Sequence, residues 1–477
     1  MGRRLWMALA AVLCVGLMTP IAFGFDVSAD GDRSLNGGAN LVADASAETI
    51  APTGTGTSGD PYVYDWDDID GAGTDASDGL VLGSSKVANG NGGSVTLKLT
   101  NGNGKGDITG TSGVLALSTH RTDSTYNPGS AGTLRILGVN DVLCGGMTTG
   151  RQQRSSSSPS GHSASLVIGA AADPAGEVRI DYIHTNYYNT ADPQGANGWE
   201  DARGGSGNLT IYGSGNVEIK TSGGTLGELF TASRGYSSGK ITVTHDGAFR
   251  TAWIDATAGG TYTAGQEAQG CVFDGDADGD NPDGAFEVPG DLLFAQTRNW
   301  YGDPNGPVSI TGYTSVSIGG KIDTYHFSAY ASDNRAGNIV ITGISGDLTI
   351  GGAVNLDAAY GTAQEGTLTL ACDGTISLGG LDMDKCKLAT FDAGTGESYI
   401  LGELLNLTDP TNGELDAVAG QDVFFHSKVV GNEYLGGPQW YDLAGGGRLV
   451  DLDFVVPEPA GIGLFGLALL GLRRRRS

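Results

Sequence analysis

The densest group of residues able to do chemistry is FDGDADGDNPDGAFE, Phe273 to Glu287. Asp276, Asp278, Asp280 and Glu287 fall at positions 1, 3, 5 and 12 of a calcium loop. That spacing lets alternate carboxylates converge on one hard cation, with the distant Glu closing its shell. Asn281 stands where that loop carries a glycine, Pro282 follows, and no helix-forming run flanks the stretch. Starting the frame at Asp274 restores Gly279 at position 6 but leaves Ala285 at position 12. The residues fit two descriptions, a calcium site that stiffens a long insertion and a solvated acidic loop.

Acid–base candidates elsewhere are scattered: Asp181, His184, the His245-Asp246 pair, and Lys321 with Asp323. A third group is aromatic: Tyr126; Tyr187, Tyr188 and Trp199; Tyr236; Tyr325, His326 and Tyr330; and Tyr360. Ring faces set among Asn, Asp and Ser can meet the CH groups of a sugar, which makes Tyr187, Tyr188 and Trp199 carbohydrate-binding candidates. The same rings can equally cover contacts between neighbouring loops.

The elements that must position these groups are short strands. In Gly337 to Tyr360, the pairs Ile339/Ile341, Leu348/Ile350 and Val354/Leu356 each alternate with polar or small residues. Period-two alternation sends each pair to one face of a strand, and the doublet Gly351-Gly352 suits a corner. The unit recurs: Gly306, Gly337 and Gly366 open stretches 31 and 29 residues apart, and Gly207 to Gly239 is 32. A three-strand unit of about 30 residues predicts an all-β, right-handed parallel β-helix. A β-propeller is the runner-up, with blades of about 40 residues or more; a β-sandwich is a more distant alternative. The loops after the third strand of many coils carry these aromatic groups, so in-register coils would gather them on one flank.

Composition agrees with this class. Glycine fills 81 of 477 positions and charged residues only 17%, so turns are abundant and helix-forming runs scarce. The net charge of −27 disfavours nucleic acid and anionic lipid as partners, and favours solubility and divalent cations.

Met1 to Gly24 carries Arg3 and Arg4, an apolar stretch from Leu5 to Met18, and Ala22-Phe23-Gly24 before a cut. This is the pattern of a secretory signal peptide, expected as a helix. Residues 25–94 read as a Gly/Ser/Asp-rich tail and an atypical first coil, 95–400 as the repeats, 401–454 as a closing β cap, and 455–477 as a terminal segment. Removal of Cys14 with the signal leaves Cys144, Cys271, Cys372 and Cys386. Cys372 and Cys386 are near enough in sequence to pair, yet Cys372 also continues the inward series Leu368, Leu370.

Val456-Pro457-Glu458-Pro459 precedes the apolar run Ala460 to Leu472 and then Arg473, Arg474, Arg475 and Arg476. The run, extended by Val455 and Val456, approaches the ~17 residues of a short transmembrane helix. The arginine cluster would hold its end on the cytoplasmic side of the inner membrane. Pro457, Glu458 and Pro459, the Gly/Leu-rich span and the terminal arginines together resemble the PEP-CTERM sorting signal of exported bacterial proteins. The resemblance covers only about the last two dozen residues, and Asn432 to Leu449 resembles end-modules of such proteins more weakly. It implies processing by an exosortase near the Pro-Glu-Pro motif, a transient inner-membrane anchor, and association with exopolysaccharide and biofilm matrix. The expectation is a structural or adhesive component of the cell surface, outer membrane or matrix, without enzymatic activity. The competing expectation is a β-helical polysaccharide lyase or glycoside hydrolase, although the chain lacks the Asn-Thr-Asp and Arg-Ile-Lys motifs associated with β-helix pectinases.

Overall fold

The computed structural model describes residues 53–55, 59–65, 94–99, 104–110, 132–149, 163–185, 205–233, 237–258, 268–299, 305–328, 337–356, 366–383, 386–407, 414–427 and 440–454. It also describes the backbone of the short strands within 24–43, 69–82, 116–118, 151–153 and 187–189. The predicted signal helix, apart from Gly24, and the predicted C-terminal transmembrane helix lie outside these residues. Among the described residues no helix is long and apolar enough to cross a membrane.

Two compact units follow one another, 1–252 and 253–477. Each is a parallel β-helix. In the first unit, one ladder runs Tyr62–Asp65, Val95–Lys98, Leu134–Leu137, Leu166–Ile168, Leu209–Tyr212 and Ile241–Thr244, every neighbour parallel. A second runs Ile69–Ala72, Gly106–Gly110, the start of Val139–Thr148, the start of Val178–His184, Val217–Ile219 and Phe249–Arg250. The third strand of each coil makes another ladder, ending in Glu228–Phe230.

The second unit repeats the plan through Cys271–Asp274, Val308–Tyr313, Ile339–Ile344, Gly366–Cys372, Cys386–Asp392 and Leu415–Ala417. The six residues of the three apolar pairs in the Gly337–Tyr360 repeat are fully buried. Its second and third strands form one continuous element, Leu348–Asn355, bent at Gly351-Gly352. A Cβ at Gly351 would sit 2.5 Å from the Gly319 carbonyl oxygen, and one at Gly379 would sit 1.9 Å from that of Gly351. The corner backbones of successive coils approach too closely for any side chain, which accounts for the glycine doublets.

Coil strands also run through both flanking segments. Tyr62–Asp65, Ile69–Ala72 and Gly79–Leu82 already form a coil inside the expected N-terminal region. Val423–Phe425 and Arg448–Asp451 continue the stack inside the expected C-terminal cap. Stacking stops where an antiparallel strand occupies the edge: Gly24–Val27 on Arg33–Asn36, and Trp440–Asp442 on Arg448–Asp451.

Two polar devices hold the coils. The first is a staple at the residue immediately before a strand's first inward side chain. Asn208 Oδ1 accepts the Lys240 N–H at 2.9 Å, Asn216 that of Ala248 at 2.9 Å, and Asp141 that of Glu177 at 2.8 Å. Asp291, Asn338, Asp347 and Asp422 do the same for Lys321, Thr367, Thr375 and Arg448 at 2.8–3.0 Å. The second device closes loops. Thr149, Thr185 and Thr231, all fully buried, donate their hydroxyls to the carbonyls of Ala164, Gly207 and Gly239 and accept those residues' N–H groups on their own carbonyls.

A Cys372–Cys386 pairing is excluded by register, and Cys372 takes the alternative place in the inward series. Cys386 stands opposite Gly366, six residues along the strand from Cys372, which is about 20 Å. Disulfide Cα atoms lie no more than ~7 Å apart. Cys144, Cys271 and Cys372 are buried thiols, and burial pushes the Cys144 and Cys372 thiols up.

Core and staple differ in magnitude. Ile341→Ala is expected to cost about 2–5 kcal/mol through lost transfer energy and a cavity. Asn338→Ala is expected to cost about 1 kcal/mol through a lost hydrogen bond. Outward Val340→Thr should change stability by less than about 0.5 kcal/mol. Urea midpoints for the three variants check this order.

Candidate functional site

The acidic loop leaves the strand Cys271–Asp274 and rejoins the coil at Ala285–Val288. Its base is fixed by an aromatic cluster: Phe273, Phe286 and Tyr313 meet edge to face at 5.2 and 5.4 Å. Asp274 Oδ1 accepts the Asp276 N–H at 3.3 Å and starts the turn. Gly279 adopts φ +75° and donates its N–H to the Asp276 carbonyl at 3.2 Å. A left-handed residue here is natural for glycine, and its place suits the frame that begins at Asp274. Asp278 Oδ1 and Asp280 Oδ1 then accept the N–H groups of Asp280 and Asn281.

These turns bring Asp276, Asp278 and Asp280 together, one oxygen from each within 4.8 Å of the others. Each pair of full charges at that separation repels by about 1 kcal/mol even in water. A shared hydrogen bond with Asp278, and the repulsion of that residue's charge, raise the Asp280 pKa. Asp276 Oδ1 is shielded from solvent and has no hydrogen-bond partner. Three converging hard oxygens suit a divalent cation such as calcium. Glu287 lies on the strand Ala285–Val288, beside Ser317, and is not part of this group.

The aromatic candidates divide. Trp199, with Tyr126, Tyr236, Tyr330 and Tyr360, lies outside the described residues. Tyr187 and Tyr188 lie on Tyr187–Asn189, which pairs in parallel with Arg151–Gln153 outside the main ladders. The described starts of the loops after Thr149 and Thr185 therefore pair in register, Arg151 with Tyr187 through Gln153 with Asn189. In the second unit, Gln296–Asn299 pairs likewise with His326–Ser328.

One grouping was not legible from local sequence. His184 Nε2 lies 2.8 Å from Glu228 Oε1, and its ring packs 4.8 Å from that of Tyr182 and 5.9 Å from that of Phe230. The hydrogen bond with His184 lowers the Glu228 pKa, whereas burial pushes Asp181 and Tyr182 up. Aligning the coils on their closing threonines, DYIHT against GELFT, would have brought Glu228 beside Tyr182 and Phe230 beside His184. His245, by contrast, is fully buried at a corner, with Nδ1 3.2 Å from the Gly215 carbonyl oxygen. Lys321 and Asp323 pair with each other at 2.8 Å.

Pro457, Glu458, Pro459 and Arg473 to Arg476 lie beyond the described residues. Residues 455–477 match the PEP-CTERM protein-sorting motif. No curated protein and no solved structure matches the chain. The chain thus carries the sorting signal of an exported, exosortase-processed protein, with a membrane-anchoring tail.

Burial lowers the His245 pKa from 6.5 to about 4, so the folded state holds this ring neutral. The unfolded chain binds the extra proton, and stability therefore falls as pH drops from 6.5 toward 4. The slope from this one group is at most about 1.4 kcal/mol per pH unit. In His245→Gln that limb should flatten, as read from urea midpoints at pH 7, 5.5 and ~4.5.

Proposed function

We propose that the protein is a non-enzymatic structural or adhesive component of the bacterial surface or matrix, delivered by its sorting tail and associated with exopolysaccharide. The observation that carries the reading is the sorting motif at 455–477 on a body built of parallel β-coils. Stacked coils give a stiff body from inexpensive sequence, and closed loops present side chains without disturbing it. In this reading Asp276, Asp278 and Asp280 hold calcium and stiffen their loop. The aromatic loops, Tyr187 and Tyr188 among them, supply contact to polysaccharide.

The competing reading is a polysaccharide lyase or hydrolase, and the grouping of Asp181, Tyr182, His184 and Glu228 favours it. The hydrogen bond from His184 favours the carboxylate form of Glu228, the form a general base requires.

Incubation of the purified protein with a panel of acidic and neutral polysaccharides, with and without calcium, separates the two. The expected result is no new reducing ends or unsaturated products. Product formation that Glu228→Gln abolishes would replace the structural reading with the enzymatic one. In the same samples, calcium at 100 times its Kd should add about 2.7 kcal/mol to the stability of its unit. An Asp278→Asn, Asp280→Asn double variant should lose that gain; an equal gain in the variant would remove calcium from the loop.

A further inference from the structure

The outward face of one ladder in the second unit changes character toward its C-terminal end. Successive coils place Ser317, Thr349, Ser377, Tyr399, Phe424 and Val450 side by side in one outward column, with Trp440 opposite Val450 on the closing antiparallel strand. The column is hydroxylic for three coils and then aromatic or aliphatic to the end. The Tyr399 and Phe424 rings stack at 5.3 Å, and Leu401, two residues along, is 50% exposed. Trp440 is 46% exposed, with the Arg448 guanidinium 6.0 Å from its ring centre. Arg448 is itself paired with Asp422 at 2.6 Å, and the Tyr399 hydroxyl donates to the Glu397 carboxylate, so carboxylates border the apolar patch.

Folding alone does not call for this change, because the inward residues Ile376, Ile400, Val423 and Leu449 already fill the core of these coils. The position of the patch in the chain indicates its use. The last strand ends at Asp451, a short turn covers Leu452–Phe454, and the sorting segment begins at residue 455. The apolar run begins at Ala460, nine residues beyond Asp451, and nine extended residues span no more than about 32 Å; a headgroup layer is about 5–8 Å thick on each side of the hydrocarbon. When the tail is seated in the membrane, the terminal coils are therefore kept within reach of its surface. Trp, Tyr and Arg around an apolar centre are the side chains that lodge at headgroup depth.

We propose that Tyr399, Leu401, Phe424, Val450 and Trp440 form a lipid-docking face that seats the last coils on a zwitterionic membrane surface while the tail is anchored. The proposal rests on the reading of 455–477 as a membrane-seated tail. Docking would orient the Pro457-Glu458-Pro459 segment at the bilayer surface, where a membrane processing enzyme can reach it.

The test uses the full chain reconstituted into dioleoylphosphatidylcholine vesicles, with and without lipid brominated on its acyl chains. Fluorescence quenching is compared between the wild type and Trp440→Phe, a substitution at an exposed site outside the core. Trp6 and the other tryptophans contribute equally to both. Quenchable emission is expected to fall about two-fold in the variant, because an indole at headgroup depth lies within reach of the brominated chains. Equal quenching in chains that float with the vesicles would overturn the docking face and leave the anchored tail intact. Trp440 emission that is insensitive to bromine, together with a doubled particle mass per vesicle-bound complex, would assign the patch to a second copy and also overturn it. Failure of the chain to float would overturn the anchored tail itself, and the docking face with it.

Discussion

The structure depends on a single hydrogen bond used again and again. A parallel ladder leaves the N–H just before each strand's first inward residue without a regular partner, and each new coil repeats that deficit. An Asn or Asp on the preceding coil supplies the acceptor, as Asn208 does for Lys240 and Asp347 does for Thr375. Sliding one coil by a single residue would break the staple and turn every inward side chain outward. Apolar burial supplies most of the stabilisation, but it is non-directional; the staple selects the register in which that burial occurs.

This division explains what could be read from the chain beforehand. The inward pairs of Gly337 to Tyr360 are a local, period-two signal, and all six residues lie in the core. Glycine doublets also report a local constraint, the close approach of corner backbones. The closing strand Trp440–Asp442 falls in the expected β cap, but its composition does not report which way it runs. Its antiparallel direction is decided by what it meets. The His184–Glu228 pair was hidden for a similar reason: the partners are 44 residues apart and become neighbours only through coil register. In the acidic loop, the convergence of Asp276, Asp278 and Asp280 followed from their spacing. The place of Glu287 did not, since strand pairing with Ser315–Ile318 takes precedence over any role in the loop.

The candidate functional features lie where the coil plan leaves freedom. The acidic loop, the paired loop strands Arg151–Gln153 and Tyr187–Asn189, and the apolar column at Tyr399 and Phe424 all project from positions that the core does not constrain. Buried threonines isolate the loops from the stack. A loop that begins at Thr185 and returns at Gly207 meets the core through the same two hydrogen bonds as the shorter one between Thr231 and Gly239. Loop length and content can therefore vary with little effect on the coils beneath.

The staples also carry a sense of direction. In each pair described, the acceptor side chain belongs to the earlier coil and the N–H to the later one. A completed coil is thus a template with these acceptors already set out, although at the end of the stack Gln421 Oε1 accepts the N–H of Ala393 from the coil before it. A chain that crosses a membrane amino end first delivers its coils in the order in which this template can use them. Assembly resembles growth at one face of a crystal, advancing as fast as new chain arrives, and the sorting tail is the last part to emerge.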